Sequence, residues 1–486
     1  MTEQNLKEKT VTGVVWSTVD RFSALGVQFI VSIVMARLLT PADYGLIGML
    51  SIFLAVANSL IDSGFSQALI QKKNRTEVDY STVLYFNIVV SVFLYLILFL
   101  GAPLIASFYK EPTLIPLTRV IGLSLIINSF AVVQKALFTI RVDFKTQTKA
   151  SLSSSVISGI IGIIAAFRGA NVWALVIQQL IAYTLNVILL WVYGKWKPLR
   201  TFSKDSFKSL FSYGSKLMLS SLINTLWTNI YSLVIGKVFN ASSLGFYSRA
   251  HSFAELPSST LTSVMQRVTF PIMCEVQDQT ERFVSIFRRF MRIAAYLIFP
   301  VLMFIAGIAK PMVIVLLGER WAYSATLLTI ICFAAMWYPV HAINLNPISA
   351  LGRSDLFLKL EIYKKAIGIV VLVCSIPFGL EGVCYGSVIS SFIMLFLNSM
   401  YTKKLINYGI IDQLKDLLPT YILAVLMFLM LRLMGLLIHD NLLLLVVDTI
   451  ISFIFYIGVS KLLRLNELYE LIEIATSLKE KFSNGR

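Results

Sequence analysis

The chain has 486 residues, 57% of them hydrophobic and only 14% charged, where soluble domains carry about 25%. A mean hydropathy of +0.78 and recurring apolar runs of about 20 residues, the length a helix needs to cross a bilayer, define a polytopic membrane protein. The net charge of +16 has no basic soluble domain to present it, which argues against a nucleic-acid partner.

In chain order, the first dozen residues are polar, with Lys7 and Lys9. The apolar run that follows reaches about Met35 with no small-residue cleavage site after it, so it reads as a retained span. Fourteen spans are predicted, at 13–36, 44–66, 81–103, 117–138, 149–167, 172–193, 212–235, 245–268, 290–309, 324–345, 360–378, 382–401, 418–438 and 442–462. The eighth, holding Arg249, His251 and Glu255, is the least apolar. Beyond the last, Leu465, Leu468, Ile472 and Ala475 at helical spacing predict an interfacial helix. Cys274, Cys332, Cys374 and Cys384 form no C-x-x-C and read as packing residues.

Basic residues cluster in alternate connections. Lys72, Lys73 and Arg75, then Arg141 and Lys145, then Lys195, Lys197 and Arg200, then Arg282, Arg288 and Arg289 fall on one side, with Lys403, Lys404 and the tail. The positive-inside rule makes that side cytoplasmic and places both termini there. No connection is long enough for a catalytic domain. There is no G-x-x-x-x-G-K-[ST], H-E-x-x-H or G-x-S-x-G, and three histidines form no metal cluster, so an enzyme, a metal and an organic cofactor are not expected.

The stretch "ARLLTPADYGL" at 36–46 has a counterpart 200 positions on, "GKVFNASSLGF". The same offset pairs Ile30 with Ile230, Arg37 with Lys237, Gly45 with Gly245, Phe53 with Phe253 and Ser59 with Ser259. Six spans precede the basic connection at 194–210, so the seventh enters with the same orientation as the first, as in a parallel repeat. The expected fold is therefore all-α: two pseudo-symmetric six-helix lobes, 1–200 and 201–405, followed by two additional spans and a cytoplasmic amphipathic tail, 406–486. At the corner itself, Thr40 is placed to cap the next helix, with Pro41 in its first turn and Asp43 near its positive end. Asn240 does the capping in the second copy, and Arg37 and Lys237 are candidate outer-mouth residues.

Charges inside spans are costly in lipid and normally face protein or water. Arg21, Arg249, Lys216, Arg267 and Arg292 are candidates for a cationic substrate-binding cavity, with snorkelling to the inner interface the alternative for Lys216, Arg267 and Arg292 and the reading for Lys135. Asp20, Asp62 and Glu255 are candidate sites for H+ or Na+ coupling. Arg249, Ser252, Glu255 and Ser259 make one polar stripe, and Pro257 offers a hinge. Cations outnumber acids in this set, which favours anionic cargo, and arginine suits phosphate. Ser220, Ser221, Asn224, Thr228, Asn229 and Tyr231 on the seventh span offer contacts to a hydroxylated cargo. Arg432 and Asp448 are spaced to pair with each other.

"ARLLTPADYGLIGM", "DSGFSQALIQKK", "VWALVIQQL" and "LGFYSRAHSFAELPSSTLTSVMQRVTFPIM" resemble the bacterial polysaccharide transporters of the multidrug/oligosaccharidyl-lipid/polysaccharide superfamily, of the colanic-acid and teichuronic-acid exporter type. The resemblance covers nearly the whole chain. It implies a flippase that carries undecaprenyl-diphosphate-linked oligosaccharide from the cytoplasmic to the periplasmic leaflet of a bacterial inner membrane by alternating access. It also implies membrane lipids, a polysaccharide polymerase and a chain-length regulator as candidate partners. Two rivals stay open, a multidrug cation antiporter of the same superfamily and an integral-membrane glycan polymerase or ligase.

Overall fold

The computed structural model describes residue 23 and residues 26–62, 64–473 and 476. Among the described residues every regular element is helical. Helix is the expected answer in lipid, where a spanning backbone must satisfy its own N–H and C=O groups. Among the described residues eleven stretches are long and apolar enough to cross a membrane. One of them, Ser354–Ile406, is two helices joined by a 3-10 turn. With the short helix Gly26–Leu38 and the less apolar Ala241–Glu275, these helices overlap the fourteen predicted stretches, of which residues 13–22, 24 and 25 of the first lie outside the described residues.

The chain forms two compact units, Met1–Gly245 and Phe246–Arg486. The first contains α1 (Gly26–Leu38), α2 (Pro41–Asp62), α3 (Phe65–Gln71), α4 (Glu77–Tyr109), α5 (Leu114–Ile121), α6 (Leu123–Ile140), α7 (Phe144–Phe167), α8 (Val172–Gly194) and α9 (Lys204–Val238). Here α9 packs on α2, α3 and α4, and α6 packs on α4 and α8. On α4 the polarity is inside out: Asn87 and Ser91 are buried, while Val89, Leu100 and Leu104 are 67–75% exposed, as a lipid-facing surface requires.

Local chemistry sets the helix starts. Thr40 and Asp43 cap α2 reciprocally: Asp43 accepts from the Thr40 amide at 2.8 Å and from its hydroxyl at 2.7 Å. The Asp43 amide in turn donates to Thr40 Oγ1 at 3.3 Å. In the second copy of the corner, Asn240 Oδ1 accepts from the Ser243 amide at 2.8 Å. Between the two corners the backbones touch. A Cβ on Gly45 would lie 1.7 Å from the Ala241 carbonyl oxygen, and one on Gly245 would lie 1.8 Å from that of Pro41. The offset-200 pairing is thus a reciprocal contact in space.

The basic connection after α8 is stitched to the start of α4. Trp196 Nε1 donates to Glu77 at 2.5 Å, the Leu199 amide to Ser81 at 2.8 Å and the Ser203 amide to Thr82 at 3.1 Å. Lys72 closes on buried Asp79 at 2.7 Å beside them.

The second unit contains most of α10 (Ala241–Glu275), which runs through Pro257 and Pro271, then α11 (Thr280–Gly307) and α12 (Ala309–Leu317). The next span is broken into α13 (Ala322–Ala335), α14 (Tyr338–Asn344) and α15 (Asn346–Ala350), with Pro339 and Pro347 at the restarts. At the first break the Ala335 carbonyl, four residues before Pro339, accepts from Ser258 at 2.8 Å, and the Ala334 carbonyl accepts from both the Trp337 amide at 3.3 Å and Ser391 at 3.2 Å. Then follow α16 (Ser354–Ser375), α17 (Gly379–Ile406), α18 (Ile410–Leu437) and α19 (Asn441–Leu462). The expected tail helix spans 466–473 with Leu468 buried. It is held by side-chain ion pairs: Arg289 meets Glu470 at 2.8 Å and Arg292 meets Glu467 at 3.4 Å. Arg288 forks onto Asp416 of α18 with two contacts of 2.8 Å.

The expected Arg432–Asp448 pair does not form. Arg432 donates to Thr329 at 2.8 Å and lies over the Phe428 ring, while both carboxylate oxygens of buried Asp448 lack a hydrogen-bond partner among the described residues. Helix rotation decides this, and spacing along the chain does not reveal it.

Candidate functional site

The first unit carries an open cavity of about 750 Å³. Three helices line it, each through residues at three-to-four spacing, the repeat that puts side chains on one helical face. From α2 come Asn58, Ser59 and Asp62; from α6, Asn128, Val132 and Lys135. From α9 come Leu217, Ser220, Ser221, Asn224, Thr225, Thr228 and Asn229. The break at Gly64 and the first turn of α3, with Ser66 and Gln67, close one side.

This wall is mostly hydroxyl and amide. Asn128 Nδ2 donates to Asn58 Oδ1 at 3.0 Å, fixing α6 against α2. Ser59 Oγ donates to Ser221 Oγ at 3.1 Å, joining α2 to α9. Asn229 and Thr228 donate back to the Thr225 carbonyl at 2.9 and 3.1 Å, which leaves Asn229 Oδ1 free to accept. Such groups offer both donors and acceptors, the complement of a polyhydroxylated ligand. The volume is within the usual range for small-molecule sites, roughly 300–1,000 Å³.

Among the sequence-derived candidates, Asp62 lies in this wall. Lys216 is exposed on α9, next to Leu217 but outside the lining. Arg37 is exposed at the end of α1. Lys237 sits over the Phe108 ring at 4.4 Å and donates to the Phe108 carbonyl, so it anchors the end of α4. In the second unit Arg249 is half-buried and Arg267 exposed on α10. Glu255 is exposed and pairs with His251 at 3.1 Å, and Arg292 is engaged by Glu467. Asp20 and Arg21 lie outside the described residues.

Of the seventh-span residues expected to meet cargo, five line the cavity and Tyr231 does not. A position near the helix end assigns Lys135 to the interface, yet the structure turns it into the cavity with Asp62. The signal that could have found it is the seven-residue step from Asn128, which repeats two turns of one helical face.

A helical bundle that turns apolar side chains outward and holds an open chamber lined by hydroxyls, amides, Lys135 and Asp62 is the architecture of a multi-pass membrane transporter. A family model described as polysaccharide biosynthesis protein matches residues 34–326, more than half of the chain. The chain belongs to that family. Teichuronic acid biosynthesis protein TuaB of Bacillus subtilis (strain 168) is 26% identical over 354 residues, covering 72% of this chain and 73% of that protein. Lipopolysaccharide biosynthesis protein WzxC of Escherichia coli (strain K12) is 25% identical over 445 residues, covering 86% and 88%. Among solved structures, the lipid II flippase MurJ in an inward closed conformation superposes with a TM-score of 0.71 at 13% identity, covering 93% of this chain and 99% of that one. At that identity the likeness is one of fold.

Proposed function

We propose that this protein is a flippase for lipid-linked oligosaccharide, moving undecaprenyl-diphosphate-linked glycan units from the cytoplasmic to the periplasmic leaflet of a bacterial inner membrane. The observation that carries the reading is the cavity wall of α2, α6 and α9, rich in hydroxyls and amides within an otherwise apolar bundle. Acyl chains gain nothing from such a wall, whereas a glycan exchanges its water hydrogen bonds for it. Family membership and the names of the relatives support the same cargo class. Both termini face the cytoplasm in this reading, alternating access moves the cargo, and H+ or Na+ drives it, with Asp62 as the carboxylate in reach of the cargo. A polysaccharide polymerase and a chain-length regulator receive what it delivers. The protein carries out no bond chemistry in this scheme.

Filling the chamber tests it. Asn224→Trp and Thr225→Trp should abolish surface polysaccharide in a flippase-deficient strain while the protein stays at wild-type level in the membrane. Export at wild-type level by both variants would overturn the reading. Raised drug resistance in a drug-sensitive host, lost in the same variants, would favour the multidrug antiporter instead.

A further inference from the structure

We infer that Asp448 binds and releases a proton within the membrane, through a polar seam formed by α19, α11 and the tail helix; the site stands whatever cargo the protein carries. The buried residues of α19 recur at every fourth position, Leu444, Asp448, Ser452, Tyr456 and Ser460, so all but one of them are polar or ionisable. The opposite face is apolar, with Val446, Ile450, Phe453 and Ile454 at 54–70% exposure. A membrane helix that hides its polar stripe inside the protein uses it to join helices or to handle ions.

Groups that only join helices are hydrogen-bonded, and part of the stripe is. Ser452 donates to the Thr449 carbonyl at 3.0 Å and Tyr456 to the Tyr296 carbonyl at 2.9 Å. Asp448 differs: it is 1% exposed, and among the described residues neither carboxyl oxygen has a hydrogen-bond partner. The helices packed most closely on α19 are α12 and α18, and their titratable residues are occupied or exposed. Lys310 and Lys415 are exposed, and Asp412 accepts from the Gly409 amide. Asp416 is taken by Arg288 and Tyr408, Tyr421 lies against Phe299 and Trp337, and Arg432 donates to Thr329. Among the described residues no charge acts on Asp448.

A carboxylate so placed has neither a donor nor a cation to offset its lost hydration, and a proton removes the charge. No second acid lies on the membrane-spanning part of α12, α18 or α19, which favours a proton over a sodium ion. The stripe supplies the route as well. Neighbours on one helical face lie about 5–6 Å apart, a gap that one water bridges. The Ser460 and Tyr296 hydroxyls approach each other without the geometry of a direct hydrogen bond. Beyond them Glu467 of the tail helix, held by Arg292 at 3.4 Å, is near enough for its charge to act on the Tyr296 and Tyr456 hydroxyls. The proton leaving the Asp448 O–H passes along hydroxyls and bridging water to the Glu467 carboxylate at the membrane face, and returns the same way.

The test is infrared difference spectroscopy on the full-length protein in lipid nanodiscs, with pH and D2O as the probes. Wild-type protein should show a protonated-carboxyl band that fades as pH rises and that Asp448→Asn removes. Asp448→Glu should shift the band, which keeps the assignment testable if the asparagine variant fails to fold. Tyr296→Phe and Ser460→Ala remove hydroxyls that make no direct hydrogen bond; they should keep the band and slow its exchange into D2O at least tenfold. A packing role for those hydroxyls would lower the melting midpoint and leave exchange at the wild-type rate, which overturns the inference. A band absent from wild-type protein, unchanged in Asp448→Asn or constant over the whole pH range overturns it too. So does a band lost on adding sodium at fixed pH, which would assign a sodium site.

Discussion

Replacing Gly64 by alanine separates two costs that the structure makes visible. Gly64 joins α2 to α3 with φ +67°, the left-handed region, and an alanine there incurs about 1–2 kcal/mol of backbone strain. Its Cβ would also lie 2.6 Å from the Gly214 carbonyl oxygen and 3.0 Å from Leu217 Cβ, both on α9. Backbone cannot rotate away, so α9 must retreat by several tenths of an ångström, and overpacking of this kind adds about 1–3 kcal/mol. Gly169 supplies the control, because its φ is +78° and a Cβ there meets nothing within 4 Å. Heating in detergent followed by size exclusion should show Gly64→Ala losing about 2–5 °C of apparent midpoint, and Gly169→Ala about 1–2 °C. Since Leu217 lines the chamber, glycan binding should fall in Gly64→Ala only. Equal midpoints for the two variants would refute the close approach of α9.

Other outcomes follow from the same geometry. Arg249→Ala, on the polar stripe of α10, should abolish export without loss of protein from the membrane; normal polysaccharide from that variant would remove Arg249 from cargo binding. Asp448→Asn should leave the melting midpoint unchanged or raise it, because both carboxylate oxygens are buried without a hydrogen-bond partner. A clear fall would reveal a partner. Arg288→Ala should cost about 1 kcal/mol, since the fork onto Asp416 is bidentate but the arginine is half exposed and screened. In 1 M salt that difference should vanish, and a salt-independent loss would point to packing instead.

Local rules are legible in the amino-acid sequence. The Thr40–Asp43 cap and the Asn240 cap each lie within three residues of their partners, so the chain alone specifies them. The α9 wall is legible too, because polar side chains recurring every third and fourth position on an apolar helix mark one polar face. Tertiary choices are not. Whether Lys135 reaches for the interface or turns inward depends on how α6 is rotated against α2, which the Asn58–Asn128 hydrogen bond fixes across 70 residues of chain. Arg292 reads as a cavity cation for the same reason, because its acid, Glu467, arrives from the far end of the sequence. A guanidinium and a carboxylate sixteen positions apart, Arg432 and Asp448, read as partners and face different neighbours.

At Gly45 and Gly245 the two copies of the corner meet main chain to main chain, each glycine against the opening residue of the other's helix. Neither position has a tolerable neighbour in the genetic code, because the smallest replacement already collides with atoms that no rotamer can move. Each corner therefore fixes how near the other can come, and a side chain at either glycine would drive the starts of α2 and α10 apart.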